Sequence, residues 1–141
     1  MADTYSKASI STELAHRAIA AAEAKANEMG IPFVIAIVDE SGVLKAFSRM
    51  DGAALVSVQI AQDKAYTAVG FGIPSHGWYD FIKEDPPLLA GATDGIDRLV
   101  VFGGGFPIEV DGTRVGAIGV SGAHWSQDME VAQAGLAVCG S

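Results

Sequence analysis

Two clusters that combine histidine with aromatic residues hold many of the side chains best suited to chemistry in this sequence. His124 and Trp125 come directly after a run that predicts a strand and directly before one that predicts a helix. Loops at such junctions of α/β folds often carry functional groups. A neutral imidazole there could act as a general base, ligate a metal or donate a hydrogen bond, whereas the structural alternative is a surface histidine at a helix cap. Trp125 could stack on a planar ligand or pack at a subunit interface.

The second cluster contains His76 and Trp78, followed by Tyr79 and Phe81. Planar tetrapyrroles and aromatic acids bind well between such side chains, which give a large apolar contact with few rotamers to freeze. Aromatic clusters more often belong to the core. The alternative is therefore a loop that its aromatic residues anchor on the core.

Three charged residues could hold or transform a ligand. Arg49 and Asp51 lie in a polar bend between a predicted strand and a predicted helix. Arginine could clamp a carboxylate through two hydrogen bonds, although pairing with Asp51 or another acid is the simpler interpretation. Lys64 lies on a mostly apolar helix, where it could be a surface residue with a buried stem. If desolvated, it could instead act as a base or as a Schiff-base amine.

Glycine-rich bends supply the remaining candidates. The bend that contains Gly104 and Gly105 could cradle an anion with backbone N–H groups, but a wide bend between strands is the favoured interpretation. Ser121 fits the pattern G-x-S-x-G of a nucleophile elbow except at its last position, which is Ala123, so we discount hydrolase activity. No spacing of His, Asp and Glu matches a zinc or di-iron motif.

Composition excludes several classes of protein. The 141 residues suffice for one domain with its own core, and the net charge of −8 argues against nucleic-acid binding. No apolar run is long enough to cross a membrane, and the N-terminus lacks the apolar stretch of a signal peptide. With Cys139 as the one cysteine, a disulfide framework is excluded and a cytoplasmic location is expected.

The elements that must position these residues follow from periodicity and turn signals. Helices are predicted at residues 11–29, 55–69, 78–83 and 127–138. Strands are predicted at residues 33–38, 43–47, 99–102, 106–110 and 115–120. Because short turns join antiparallel neighbours, the prediction is a single domain over residues 1–141 with a five-stranded, mainly antiparallel sheet flanked by helices.

Five segments, in this order, resemble one known family. They read AAAEAKANEMGIPFVIAIVDESGVL, SRMDGA, QDKAYTAVGFG, FGGGFPIEVDGTRVGAIGVSG and QDMEVAQAGL. The chain is similar to the GlcG/HbpS family, which includes the C-terminal domain of PduO-type proteins. The resemblance implies an α/β fold of the α+β type, akin to profilin and PAS modules. It also implies homo-oligomers and ligands such as haem or corrinoid-related molecules. The aromatic segment 75–81 and the His-Trp segment 123–126 depart from the family's pattern.

Two functions remain open at this point. The first is a cytoplasmic, oligomeric small-molecule-binding protein whose ligand is haem or a related tetrapyrrole, with His124 or His76 reaching the iron. The second is a cofactor-independent isomerase, dehydratase or lyase acting on a small anionic or aromatic catabolic intermediate. There His124 would move the proton, Arg49 or Lys64 would hold a carboxylate, and backbone N–H groups would stabilise negative charge. A subunit that serves only assembly is a third possibility.

Overall fold

The described part of the chain forms four strands and five helices. The computed structural model describes residues 2–140, so the first and last residues of the predicted domain lie outside it. The elements are α1 (Thr12–Met29), β1 (Val34–Asp39), β2 (Leu44–Arg49), α2 (Ser57–Phe71), α3 (Gly77–Ile82), α4 (Pro86–Gly95), β3 (Gly105–Val110), β4 (Thr113–Ser121) and α5 (Trp125–Leu136). Within residues 2–140, none of the helices is long and apolar enough to cross a membrane.

The sheet is antiparallel and has the strand order β2-β1-β4-β3. Each outer strand pairs with an inner strand that is its neighbour along the chain, and the two hairpins meet where β1 pairs with β4. The prediction of two hairpins is confirmed. The prediction of five strands was wrong, because the described residues form a four-stranded sheet.

Residues 99–102, predicted as the fifth strand, form an irregular segment whose backbone is bonded to hydroxyl groups. The Val100 N–H donates to Thr67 Oγ1 at 3.0 Å. The carbonyl of Phe102 accepts a hydrogen bond from Ser75 Oγ at 2.7 Å. These hydroxyls satisfy backbone groups that a ladder would otherwise bond, so an apolar run with strand propensity stays outside the sheet.

The region between α2 and β3 is more regular than its proline content indicates. The short helix predicted at residues 78–83 is present as α3, one residue earlier. The structure adds α4, a helix that is absent from the prediction. Asp85 caps it by accepting from the Leu88 N–H at 3.4 Å, and two prolines follow at the start of the helix. Proline is tolerated there because the first N–H groups of a helix have no partner within it.

The helices cover both faces of the sheet. On one face, α1 and α5 pack over the main core, which includes Ile35, Ile37 and Ile118. On the other face, α2 packs against Val38 and Ala117 through alanine side chains. Among the residues singled out in the sequence, Lys64 lies on α2 and Trp125 on α5, so they belong to helices on opposite faces of the sheet.

Candidate functional site

A buried ion pair joins the two helical layers at one end of the sheet. Lys64 Nζ of α2 lies 2.7 Å from Asp128 Oδ2 of α5 and donates to the Val120 carbonyl at 2.9 Å. The Lys64 and Asp128 side chains are 0% and 4% exposed. Burial lowers the pKa of the Lys64 ammonium, and the hydrogen bond and charge of Asp128 oppose that shift. Lys64 is therefore a desolvated lysine and not a surface residue with a buried stem.

Asp128 is held as firmly as its partner. Its Oδ1 accepts the Ala123 N–H at 3.0 Å, while Oδ2 faces Lys64. Both oxygens of the carboxylate are thus used, one to fix the loop before α5 and one to neutralise the lysine. A buried charge pair with its donors and acceptors satisfied avoids much of the cost of an isolated charge.

The glycine bend before β3 exists because the backbone passes directly over Lys64. Gly104 has a φ of +131°, and a Cβ there would lie 2.6 Å from the Val120 carbonyl oxygen and 2.7 Å from Lys64 Nζ. The N–H of Gly105 donates to Ser75 Oγ at 2.9 Å, so it is not free for an anion. These contacts favour close approach to the lysine over an anion cradle as the reason for the glycines.

A pocket of about 380 Å³ opens on the outer side of this bend. Its lining consists of His76, Tyr79, Asp80, Val101, Phe102, Gly103, Trp125 and Met129. The Phe102 ring lines the pocket and also lies 5.0 Å from Lys64 Nζ. Mostly apolar walls with a few polar groups are typical of small-molecule sites of this size. We call this space the Phe102 pocket.

His76 forms part of one wall of the Phe102 pocket. Its ring packs edge-on against Phe106, with 5.9 Å between centroids. Its Nδ1 is buried and has no hydrogen-bond partner among residues 2–140. Burying an unpartnered polar atom costs about 1–3 kcal/mol, and the ring is not fixed by a bond at this nitrogen.

His124 is the N-cap of α5, and this role determines which nitrogen carries the proton. The Ser126 N–H donates to His124 Nδ1 at 3.2 Å, and a neutral ring that accepts this bond carries its proton on Nε2; Ser126 Oγ lies 2.8 Å from the same nitrogen. The exposed ring packs against Trp125 with 4.8 Å between centroids. To ligate a metal through Nε2, His124 would carry its proton on Nδ1, which would then donate to Ser126 Oγ at 2.8 Å and no longer accept the Ser126 N–H.

Trp78 lies apart from the Phe102 pocket. It is buried in a small apolar cluster with Ile82 and Ala92, and its ring packs 5.2 Å from Phe71. It lines a separate apolar pocket of about 260 Å³ instead. His76 and Trp78 are two positions apart in sequence, but they line different pockets.

The other predicted site residues are also dispersed. Arg49 and Asp51 line a polar pocket with Glu23 of α1, away from both histidines. Ser121 is buried and bonds Ser57 Oγ at 3.1 Å, with no histidine or acid in that bond. The geometry therefore does not bring His124, Arg49 and Lys64 into one site. Among residues 2–140, no three His, Cys, Asp or Glu side chains are grouped to hold a metal ion.

Sequence reasoning missed Asp128, Phe102 and Met129 as site residues. One signal could have found Asp128. The segments QDKAYTAVGFG and QDMEVAQAGL each place two charged residues among apolar ones, Asp63 and Lys64 in the first and Asp128 and Glu130 in the second, and Lys64 and Asp128 are the buried member of each. Two charges on otherwise apolar helix faces are expected to pair.

Comparisons with a family model and with known proteins agree on one family. Residues 10–137 match a family model described as haem degrading protein HbpS-like. The chain is 36% identical over 129 residues to a 15.0 kDa protein from the dhaT-dhaS intergenic region of Citrobacter freundii, covering 92% of this chain and 91% of that protein. It is 34% identical over 122 residues to the corrinoid adenosyltransferase PduO of Salmonella typhimurium. That match covers 86% of this chain but spans only 36% of the longer enzyme.

Solved structures match over nearly the whole chain. The Klebsiella pneumoniae protein ORFY superposes with a TM-score of 0.91 at 30% identity, covering 98% of this chain and 95% of that one. A PduOC:haem complex superposes with a TM-score of 0.86 at 34% identity, covering 92% and 94%.

Proposed function

Because the chain belongs to the HbpS-like family, we propose that it binds haem or a related tetrapyrrole in the Phe102 pocket. The PduOC structure is a complex with haem, which supports a tetrapyrrole as the class of ligand. The walls suit such a molecule, because Phe102 and Trp125 offer flat apolar surfaces beside the imidazole of His76.

The observation that carries the proposal is the orphaned nitrogen of His76. An imidazole that no hydrogen bond fixes at Nδ1 can turn to meet an iron atom, and coordination gives the ring the partner it lacks. Histidine is a common axial ligand of haem iron. Of the pocket's other residues, Met129 offers a thioether and Tyr79 and Asp80 offer polar groups.

His124 does not line the Phe102 pocket but packs against Trp125, which does, and it suits a different role beside the pocket. Its Nε2–H is a donor beside Trp125, so it fits a carboxylate at the edge of the ligand better than it fits the iron. We therefore assign the iron to His76 and a supporting hydrogen bond to His124.

Two wider features belong to the proposal. We infer a cytoplasmic protein because Cys139 is its one cysteine and is a buried free thiol. We infer a homo-oligomer because several large apolar side chains are exposed, among them Leu55 and Val56 at the start of α2.

A haemin titration followed by Soret absorbance tests the proposal. The three histidines of the chain provide a matched set, because His16 is exposed on α1 and serves as the control. We expect saturable binding that His76→Ala weakens by at least about tenfold, since even the loss of a supporting residue costs about that much in metal affinity. His124→Ala should weaken binding less, and His16→Ala should not change it. Haemin binding that does not saturate, or that is equal in all four proteins, would refute the assignment.

A further inference from the structure

We propose that Lys64 is a reactive amine that captures small neutral aldehydes or ketones as an imine, and that the Phe102 ring is the movable cover between this amine and the Phe102 pocket. The proposal does not depend on haem binding. It concerns the floor of the pocket and the buried pair beneath it.

The Phe102 ring lies between the pocket and the amine, beside the Gly104 backbone that also covers Lys64. Phe102 lines the pocket, while Lys64 does not, and the ring lies 5.0 Å from Nζ. A molecule that occupies the position of the ring would therefore approach Nζ from the side not taken by Asp128 and the Val120 carbonyl.

The Phe102 side chain can leave its position without disturbing the fold. The residue is 44% exposed, so its ring is only partly enclosed. Its carbonyl is bonded by Ser75 Oγ at 2.7 Å, which fixes the backbone while the side chain rotates about χ1. Rotamer changes of partly exposed side chains are fast compared with backbone rearrangements.

The charge of the site selects a neutral carbonyl over an anion. Asp128 already neutralises Lys64 at 2.7 Å, so an added carboxylate would bring a second negative charge into a buried place. An aldehyde or ketone brings no charge, and its oxygen accepts a hydrogen bond from the ammonium. The apolar walls beside it suit an aromatic or aliphatic substituent.

The covalent step balances without an oxidant or a reductant. Lys64 Nζ gives a proton to Asp128 Oδ2, and the amine attacks the carbonyl carbon to form a carbinolamine. Asp128 returns the proton to the carbinolamine hydroxyl, water leaves, and a C=N bond remains. Burial supports this step, since it lowers the pKa of Lys64 toward the neutral amine that the attack requires.

Reductive trapping tests the proposal on the full-length chain. The protein is incubated with benzaldehyde and cyanoborohydride, which reduces an imine to a stable secondary amine, and peptide mass spectrometry then identifies the modified lysines. Exposed Lys45 is the internal reference for intrinsic reactivity. Phe102→Ala removes the cover. Phe81→Ala is the matched control, because it removes an exposed aromatic ring from α3.

We expect Lys64 to be modified in the wild-type protein and to react roughly tenfold faster, relative to Lys45, in Phe102→Ala. Phe81→Ala should leave the ratio at the wild-type value. Three results would overturn the proposal: no modification of Lys64 in either the wild-type protein or Phe102→Ala, an unchanged ratio in Phe102→Ala, or an equal increase in both variants. Failure of haemin binding would leave these outcomes unaffected, so the two proposals can fail separately.

Discussion

Two lysine–carboxylate pairs in this molecule share their chemistry and differ in their surroundings. Lys64 and Asp128 lie 2.7 Å apart in the interior, whereas Lys7 and Glu40 lie 2.9 Å apart at the surface beside the β1–β2 turn. Each pair joins segments that are distant in sequence. Burial lowers the pKa of Lys64. The hydrogen bond between Lys7 and Glu40 raises the pKa of Lys7.

The comparison shows that solvent, more than distance, decides what an ion pair does. At the surface, Lys7 stays half exposed to water and Glu40 has a second hydrogen bond from Ser41 Oγ, so the pair adds little to stability. In the interior, each partner is needed because the other would be left charged and unsolvated. The buried pair is thus a point of vulnerability, and it is also where chemistry is more readily perturbed.

Removing one partner from each pair should give the largest contrast. We expect Lys64→Met to lower the free energy of unfolding by about 3–5 kcal/mol, because Asp128 then remains as an unpaired buried charge. Lys7→Met should change it little, since Glu40 keeps its hydrogen bond from Ser41 Oγ at 2.6 Å. Urea unfolding monitored by circular dichroism measures both.

A double variant sharpens that test. Lys64→Met combined with Asp128→Leu removes the orphaned charge, so it should be more stable than Lys64→Met alone. If the single and double variants are equally destabilised, packing rather than charge explains the loss.

The buried pair also depends on the glycine that covers it, and this gives a prediction of intermediate size. Gly104→Ala should cost about 2 kcal/mol more than Gly112→Ala, because both have positive φ but only Gly104 would bring a Cβ against Lys64 Nζ. Gly112 lies in an open turn with nothing within 4 Å. Equal urea midpoints for the two variants would mean that backbone strain, and not contact with the lysine, sets the cost.

The exposed pair should show itself only in acid. Hydrogen bonds from Ser41, Ser9 and Lys7 lower the pKa of Glu40 from 4.5 to about 2. A depressed carboxyl pKa contributes stability that is complete above 4.5 and is lost as the pH falls toward about 2. Glu40→Gln should therefore flatten part of the decline in urea midpoint over this range. Glu28→Gln, which removes an exposed carboxylate elsewhere, should leave the decline as it is.

Local signals were enough to predict most of the elements. The helix α1 follows from its apolar spacing, and Ser11 caps it, with Ser11 Oγ accepting from the Leu14 N–H at 3.1 Å. Both hairpins follow from short apolar runs rich in β-branched residues on either side of tight turns. The prediction of a strand at residues 99–102 was wrong because strand propensity is a local property. The Thr67 and Ser75 hydroxyls that bond this segment come from elsewhere in the chain.

The candidate site was harder to predict because its parts come from distant segments. Lys64 and Asp128 are 64 positions apart, and no periodicity relates them. His76 and Trp78 show the opposite failure, since they are neighbours in sequence and face different pockets. Which layer a side chain faces depends on how α2, α3 and α5 pack against the sheet. Local sequence patterns do not specify that packing.

The contact between α2 and β4 limits how sequences with this fold can diverge. A Cβ at Gly119 would overlap the Ala61 carbonyl and lie 2.6 Å from the Ala65 nitrogen, so the helix rests directly on the strand. A methyl group at position 119 would push α2 away from β4. Lys64, which lies on α2, would then move away from Asp128. Side chains at this face therefore cannot increase in volume. The residues that line the Phe102 pocket can change, and with them the ligand that the pocket binds.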